Sequence, residues 1–378
     1  MTGCTFPLSK TDHPKVVFGT GDFFWDSSLS ETKKIELIRR AVNGGVRLID
    51  TAEAYGTAEL TVGKSLSGLS NMTRVASKAS PENLGYGDLI AACDRSLLRL
   101  GVDTIDIYQI HWPNNTIPLE ETLEAMSALY KAGKISGVGL CNYHTEAVKK
   151  AIHLLKELNT PLLSCQMEYN LMERTIESNG ILSLCETNGI VLLAYSPLDQ
   201  GQTGMIPPKS MAVLQQVARK HGKTIPQVAL MFLTREKPVY AVVRTTSPAH
   251  LNDNLSIAES KLDDEDVKEI SDAFPADIRA ALPSEIRVTQ NGEWNRQAYE
   301  TLDEAIENKL RLVPSPQQLA ESLDKDGLLK PVRVVPSTSP NYKFDLVGGR
   351  LRYWAWVIAN LPNEKPLPVY VRTQSQGE

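Results

Sequence analysis

Short, nearly continuous apolar runs rich in β-branched residues punctuate the first two thirds of the chain: KVVFGTG, VRLID, TRVASK, TIDIYQIH, SGVGLCN, LLSCQ, IVLLAYS and VYAVVRT. A strand with one wet face alternates apolar and polar positions. A strand covered on both faces reads as an unbroken apolar run, the condition inside a parallel sheet clad in helices. Between the runs the period changes. ETKKIELIRRAVNGG places Ile35, Ile38, Ala41 and Val42 on one stripe and stops at Gly44 and Gly45. PLEETLEAMSALYKAGK starts after Pro118 and repeats Leu119, Leu123, Met126 and Leu129 before Gly133. Both patterns predict amphipathic helices laid on a sheet. Eight strands alternating with helices over about 270 residues suit a (β/α)8 (TIM) barrel, although a doubly wound open sheet yields a similar alternation.

After the helical pattern KLDDEDVKEISDAF the texture changes. The proline-containing passage PADIRAALPSEI marks the expected boundary, with a barrel over 1–280 and a small α+β unit over 281–378. In the latter, PSPQQLAESLDKDG reads as a helix and PVRVVP, KFDLVG and VYVR as strands.

Composition narrows the function classes. The chain of 378 residues is 42% hydrophobic and 22% charged, with a formal net charge of -5 and no apolar run long enough for a bilayer. The start, MTGCTFPLSKTDHPK, has too short an apolar stretch for a signal peptide, and the five cysteines are scattered without a CxxC pair. The expectation is a cytoplasmic protein without structural zinc. Residues 281–378 hold twelve Lys plus Arg against twelve Asp plus Glu, which gives no bulk basic charge for nucleic acid.

Ionisable residues stand at or just beyond the ends of three consecutive runs: Asp50 closing VRLID, Tyr55 in TAEAYG, Lys78 closing RVASK and His111 closing DIYQIH. Barrel active sites form at that face. Taken singly, Lys78 reads as a solvated lysine, His111 as a structural hydrogen-bonder and Asp50 as a helix cap. Together they suit hydride transfer, because a carbonyl that accepts hydride becomes an alkoxide in need of a proton and of polar support. Tyr55 can supply the proton, Lys78 can stabilise the phenolate, Asp50 can hold Lys78, and His111 can orient and polarise the carbonyl.

With its motifs RLIDTAEAYG, RVASKAS, YQIHWP, GLCNYH, CQMEYN, AYSPL and VVRTTSPAHLNDNL in order, the chain resembles the aldo-keto reductases from about Val16 to about Phe274. The resemblance implies a (β/α)8 barrel, an Asp50, Tyr55, Lys78, His111 tetrad, and a nicotinamide cofactor bound without the GxGxxG fingerprint, which is absent before position 280. It further implies that Asn142 and Gln166 hold the nicotinamide carboxamide, that Tyr195 stacks on the ring, and that Ser196 and Leu198 follow the pyrophosphate. Arg244 and Thr245 match the positions for the ribose 2′-phosphate and Asn254 the one for adenine, which favours NADPH. Two positions depart from the pattern: Cys141 stands where serine is frequent, and His250 where a second arginine is common. The second leaves NADH use open. Trp25 and Trp112, with Phe23 and Phe24, are expected to wall the mouth for a small carbonyl substrate, such as a sugar or another polar ketone or aldehyde. Phe23 and Phe24 read equally well as packing residues. DQGQTGMIPPKS is the candidate lid.

LVPSPQQLAESLDKDGLLKPVRVVP, KFDLVGGRLRYWAW and PVYVR resemble the ParB N-terminal and sulfiredoxin-like fold, over about Pro283 to Arg372. This implies a tight turn at Gly348 and Gly349, with Arg350 and Arg352 at a helix N-terminus suited to an anion such as a nucleotide phosphate. Sulfiredoxin's reactive cysteine is missing, which argues against sulfinic acid reduction. In the plainer reading, Tyr353, Trp354 and Trp356 pack the small domain or dock it. The main expectation is an NADPH-dependent reductase. Its rivals are a redox-sensing regulator that binds NADPH to report its level, and a small-molecule kinase activity in the tail.

Overall fold

The computed structural model of the chain describes residues 15–21, 29–114, 116–199, 206–275, 278–288, 299–312, 314–326 and 331–371. The chain divides into two compact units, the main part of the second beginning at Ala273.

In the first unit eight parallel strands close into a barrel. They are β1 (Val16–Gly19), β2 (Leu48–Asp50), β3 (Arg74–Ala79), β4 (Ile107–Ile110), β5 (Val138–Cys141), β6 (Leu162–Glu168), β7 (Val191–Tyr195) and β8 (Val239–Val243). Each overlaps one of the apolar runs. Pairing of β8 with β1, with Val17 beside Val242, closes the ring and decides against the open sheet. Intervening helices are α1 (Glu31–Asn43), α2 (Ala58–Leu66), α3 (Tyr86–Leu100), α4 (Leu119–Lys131), α5 (Thr145–Glu157), α6 (Ile181–Asn188), α7 (Pro208–His221) and α8 (Ile225–Leu233), with α9 (Pro248–Leu255) and α10 (Asp264–Ala273) after β8.

The local reasons for these helices are visible in their ends and faces. Ser30 caps α1 by accepting from the Lys33 N–H, and the helix buries Leu37, Ile38, Ala41 and Val42. Thr224 and Gln227 form a reciprocal capping box on α8.

The barrel interior is an apolar floor of Val17, Leu48, Ala76, Ile107, Leu193 and Val242 with their neighbours. Side chains alternate along a strand, so the residue two positions on faces the same interior, nearer the C-terminal end. That step leads from Leu48 to Asp50, from Ala76 to Lys78, from Ile107 to Gln109 and on to His111, from Leu193 to Tyr195, and from Val242 to Arg244. The register sets Asp50 beside Ala76 and Lys78 beside Gln109.

The second unit holds a five-stranded mixed sheet in the order β10-β12-β11-β13-β9. Its strands are β9 (Ile278–Ala281), β10 (Ile286–Val288), β11 (Val332–Pro336), β12 (Phe344–Gly348) and β13 (Leu367–Val371), and its helices are α11 (Leu302–Ile306), α12 (Pro316–Asp326) and α13 (Arg350–Ala359). Val332, Val334, Leu346, Tyr353, Trp354, Leu367 and Val369 form its core. The Trp354 indole donates to the Tyr299 carbonyl at 2.8 Å and that of Trp356 to the Lys365 carbonyl at 3.0 Å. These aromatic side chains therefore pack inside the second unit. PADIRAALPSEI, expected above to mark the boundary, contributes β9 and the first residue of β10, each strand ordered by a distant partner: β9 by β13 and β10 by β12. Among the described residues no helix is long and apolar enough to cross a membrane, and no cluster of three or more His, Cys, Asp or Glu could hold a metal ion.

Candidate active site

At the C-terminal end of the barrel a lysine lies fully out of water. Lys78 Nζ donates to Asp50 Oδ2 at 2.6 Å and to the Thr51 carbonyl at 2.9 Å. Asp50 Oδ1 receives the side-chain N–H of Gln166 at 2.8 Å and that of Gln109 at 3.1 Å. Two charges removed from water are tolerated only when paired and when their remaining hydrogen-bonding capacity is used. Here both conditions hold. Burial alone would lower the Lys78 pKa, but Asp50, and then Tyr55, outweigh it and hold the ammonium above its ordinary value.

Tyr55 sits in the turn between β2 and α2, where its N–H donates to the Ala52 carbonyl and its own carbonyl accepts from Ala58, at 3.1 and 3.0 Å. Lys78 Nζ lies 5.0 Å from the centre of its ring. The Tyr55 hydroxyl is 3.4 Å from His111 Nε2, and the two rings meet edge-on at 82°. Burial raises the Tyr55 pKa, opposed chiefly by the Lys78 cation. Burial, with Lys78 adding to it, lowers that of His111 to about 3. The imidazole is thus neutral near pH 7, with one ring N–H to donate.

The other expected residues cluster at the same barrel end. Asn142, held at φ 65°, donates to the His111 carbonyl at 3.1 Å and accepts from the Tyr195 hydroxyl at 2.9 Å. Ser196 also has a positive φ, 49°, and its carbonyl accepts from Asn170 Nδ2 at 3.2 Å. Leu198 packs against the apolar cluster of Val16, Leu230 and Val243. Arg244, just past β8, is exposed. Thr245 is buried and its hydroxyl accepts from the Ser247 N–H at 3.0 Å. His250 is exposed in the first turn of α9, while Asn254 is buried on it. Trp112 is 45% exposed beside His111. Phe23, Phe24, Trp25 and half of the candidate lid, residues 200–205, lie outside the described residues. Gly348, Gly349, Arg350 and Arg352 belong to the second unit. There Gly348 ends β12, Gly349 takes φ 81° and Arg350 opens α13. Arg352 Nη1 donates to the Pro331 carbonyl at 3.3 Å.

The sequence pattern of the Aldo/keto reductase family matches residues 15–274. The chain belongs to the aldo/keto reductase family. Methylglyoxal reductase YeaE of Escherichia coli (strain K12) is 31% identical to it over 264 residues, 68% of this chain and 90% of that protein. Glyoxal reductase of Bacillus subtilis (strain 168) is 31% identical over 264 residues, 69% of this chain and 90% of that one. Among solved structures, the thermostable aldo-keto reductase Tm1743 superposes with a TM-score of 0.64 at 33% identity, covering 69% of this chain and 95% of that chain. An aldo/keto reductase from Klebsiella pneumoniae in complex with NADP and acetate gives 0.62 at 29% identity, covering 70% and 92%.

In this aldo/keto reductase the barrel end offers side-chain amides at Asn142 and Gln166, an aromatic face at Tyr195, and a guanidinium at Arg244 just ahead of the N-terminus of α9. Amide, ring and cation match the carboxamide, nicotinamide and phosphate of a pyridine nucleotide, so the donor set fits that cofactor. Positive φ at Asn142 and Ser196 marks backbone held in an uncommon conformation at this point.

Sequence reasoning missed two groups. Gln109 is fully buried directly under Asp50. It lies two positions before His111 on one strand, but a single polar residue inside TIDIYQIH leaves the apolar run intact and does not stand out. Glu59, also fully buried, accepts from Ser77 Oγ at 2.5 Å and Arg99 Nε at 2.6 Å, tying α2 and α3 to β3 one residue before Lys78. An acid in the first turn of a helix is ordinary dipole complementarity, so nothing local marked it.

Proposed function

We propose that this chain, an NADPH-dependent oxidoreductase of the aldo/keto reductase family, reduces the carbonyl of a small aldehyde or ketone, with Tyr55 as proton donor. The fully buried Lys78–Asp50 pair under Tyr55, beside a neutral His111, carries the reading. When bound, NADPH supplies the hydride. The negative charge that develops on the carbonyl oxygen needs a proton and further hydrogen bonds. Tyr55 stays protonated at neutral pH because burial raises its pKa, and Lys78 offsets the charge left on the phenolate. His111, in the tautomer with its proton on Nε2, donates to the same oxygen. Gln166 spends its N–H on Asp50, which leaves its carbonyl oxygen for the carboxamide. Asn142 would take the other side of that group and Tyr195 the ring. Ser196 and Leu198 would follow the pyrophosphate, Arg244 and Thr245 the 2′-phosphate, and Asn254 the adenine. His250 is a weaker phosphate partner than an arginine, so NADH is assayed beside NADPH.

Two relatives are named for methylglyoxal and glyoxal, and the exposed Trp112 indole offers an apolar wall. The test is NADPH oxidation over 2-oxoaldehydes, aldoses and simple ketones. Tyr55→Phe is expected to lower kcat/KM by about 10²-fold or more while NADPH binding persists. Unchanged turnover would remove Tyr55 from its role. Tight NADPH binding with no turnover on any substrate would favour the redox sensor. A reducing compartment such as the cytoplasm suits the buried free thiols of Cys93, Cys141, Cys165 and Cys185.

For the second unit we propose an accessory domain of the ParB/sulfiredoxin-like kind, with an anion at Gly348, Gly349, Arg350 and Arg352. In support, α12 leads to β11, and β12 turns through Gly349 into α13 with both arginines in its first turn. Arg333 lies opposite Gly348 on β11. ATP, ADP or CTP is expected to raise the melting temperature of the protein, and Arg350→Ala to abolish the rise. No shift with any of the three would leave only the packing role of Tyr353 and Trp354.

A further inference from the structure

The floor of the barrel is apolar at Leu48, Ala76 and Ile107. One step above it, wholly buried, stands the primary amide of Gln109. A buried amide is costly unless its donors and acceptor are used. The Gln109 oxygen accepts from Ser164 Oγ at 3.3 Å and from Cys141 Sγ at 3.6 Å. With its oxygen facing two donors, the amide turns its N–H side to Asp50 Oδ1, 3.1 Å away. A flipped amide would set oxygen against carboxylate, so the orientation follows from the network. Room for it exists because residue 139 is glycine, where a Cβ would stand 2.6 Å from Gln109 Cγ and 2.5 Å from Ser164 Oγ.

We propose that Gln109 is a positioning residue for the reaction: with Gln166 it holds one oxygen of Asp50, so that the other faces Lys78 and Lys78 sets how readily Tyr55 releases its proton. This rests on the reading of Tyr55 as proton donor. The charged and titratable groups around Tyr55 are Asp50 from β2, Lys78 from β3, His111 past β4 and Cys141 from β5. His111 is neutral, and burial keeps the Cys141 thiol well above its ordinary pKa and uncharged. The balance at Tyr55 is therefore between the Lys78 cation and the Asp50 anion. Each N–H on Asp50 Oδ1 offsets part of that negative charge. Without the one from Gln109, more of the anion's field reaches the phenol, which makes Tyr55 harder to ionise.

The experiment compares pH profiles of carbonyl reduction for the full chain and for Gln109→Met, which keeps the side chain's length and removes the donor. The expected result is an alkaline limb moved up by about one pH unit and a kcat lower by about tenfold, with NADPH affinity kept. A merely structural role would lower the melting temperature or the active fraction and leave the limb in place; that outcome overturns the proposal. Ser164→Ala, which frees the amide to flip, is expected to give a smaller shift in the same direction. It decides the matter if Gln109→Met does not fold, an unmoved limb again being the overturning result. A wild-type chain without turnover would instead defeat the functional reading. An active wild type with limbs unmoved in both variants would defeat only the inference.

Discussion

At His111 a single ring links burial to both protonation and stability. Its pKa in the folded chain lies near 3, against an ordinary value of ~6.5, so between those limits the unfolded chain binds more protons. Stability therefore rises with pH across this window. The contribution is fully present above the unfolded value of ~6.5 and is lost as pH falls towards the folded one. Denaturant midpoints measured between those limits are expected to decrease as the pH is lowered for the wild type, and more shallowly for His111→Gln. Equal slopes would show that the imidazole does not lose its charge on folding. At this scale the tetrad was legible in sequence because each member ends a strand or follows one closely. Gln109 was not, because one polar residue inside TIDIYQIH does not disturb an apolar run.

Among the elements, β5 shows how one missing side chain serves a neighbouring strand. Gly139→Ala would reduce the freedom of the unfolded chain, which alone would stabilise by about 0.4–1 kcal/mol. The added Cβ would meet Ser164 Oγ at 2.5 Å, Gln109 Cγ at 2.6 Å and Ile107 Cγ2 at 3.1 Å, in a place where Gln109 is held by hydrogen bonds at both ends of its amide. Overpacking of about 1–3 kcal/mol wins, so net destabilisation is expected in chemical unfolding. A variant as stable as wild type would mean that Gln109 can yield. The barrel strands and α1 and α4 were legible, because long apolar runs and amphipathic stripes are local signals. β9 and β10 escaped, because segments of four and three residues carry too little periodicity and gain their order from β13 and β12.

At the scale of the whole molecule, among the described residues, each unit has an apolar core of its own, the barrel interior in the first and the five-stranded sheet with α13 in the second. The change of texture after KLDDEDVKEISDAF foreshadowed a second unit, and the ordered motifs foreshadowed the family. The sequence by itself determined what is written locally: the barrel strands and amphipathic helices such as α1 and α4, the residues that close the strands, and that Asp50, Lys78 and His111 stand at or next to strand ends with Tyr55 shortly after one. Only the tertiary structure decided that β8 returns to β1, and that one oxygen of Asp50 serves Lys78 while the other collects two amides. The reason is physical. Ring closure and the partners of a buried carboxylate depend on contacts such as Gln166 with Asp50, 116 positions apart, which no local pattern encodes.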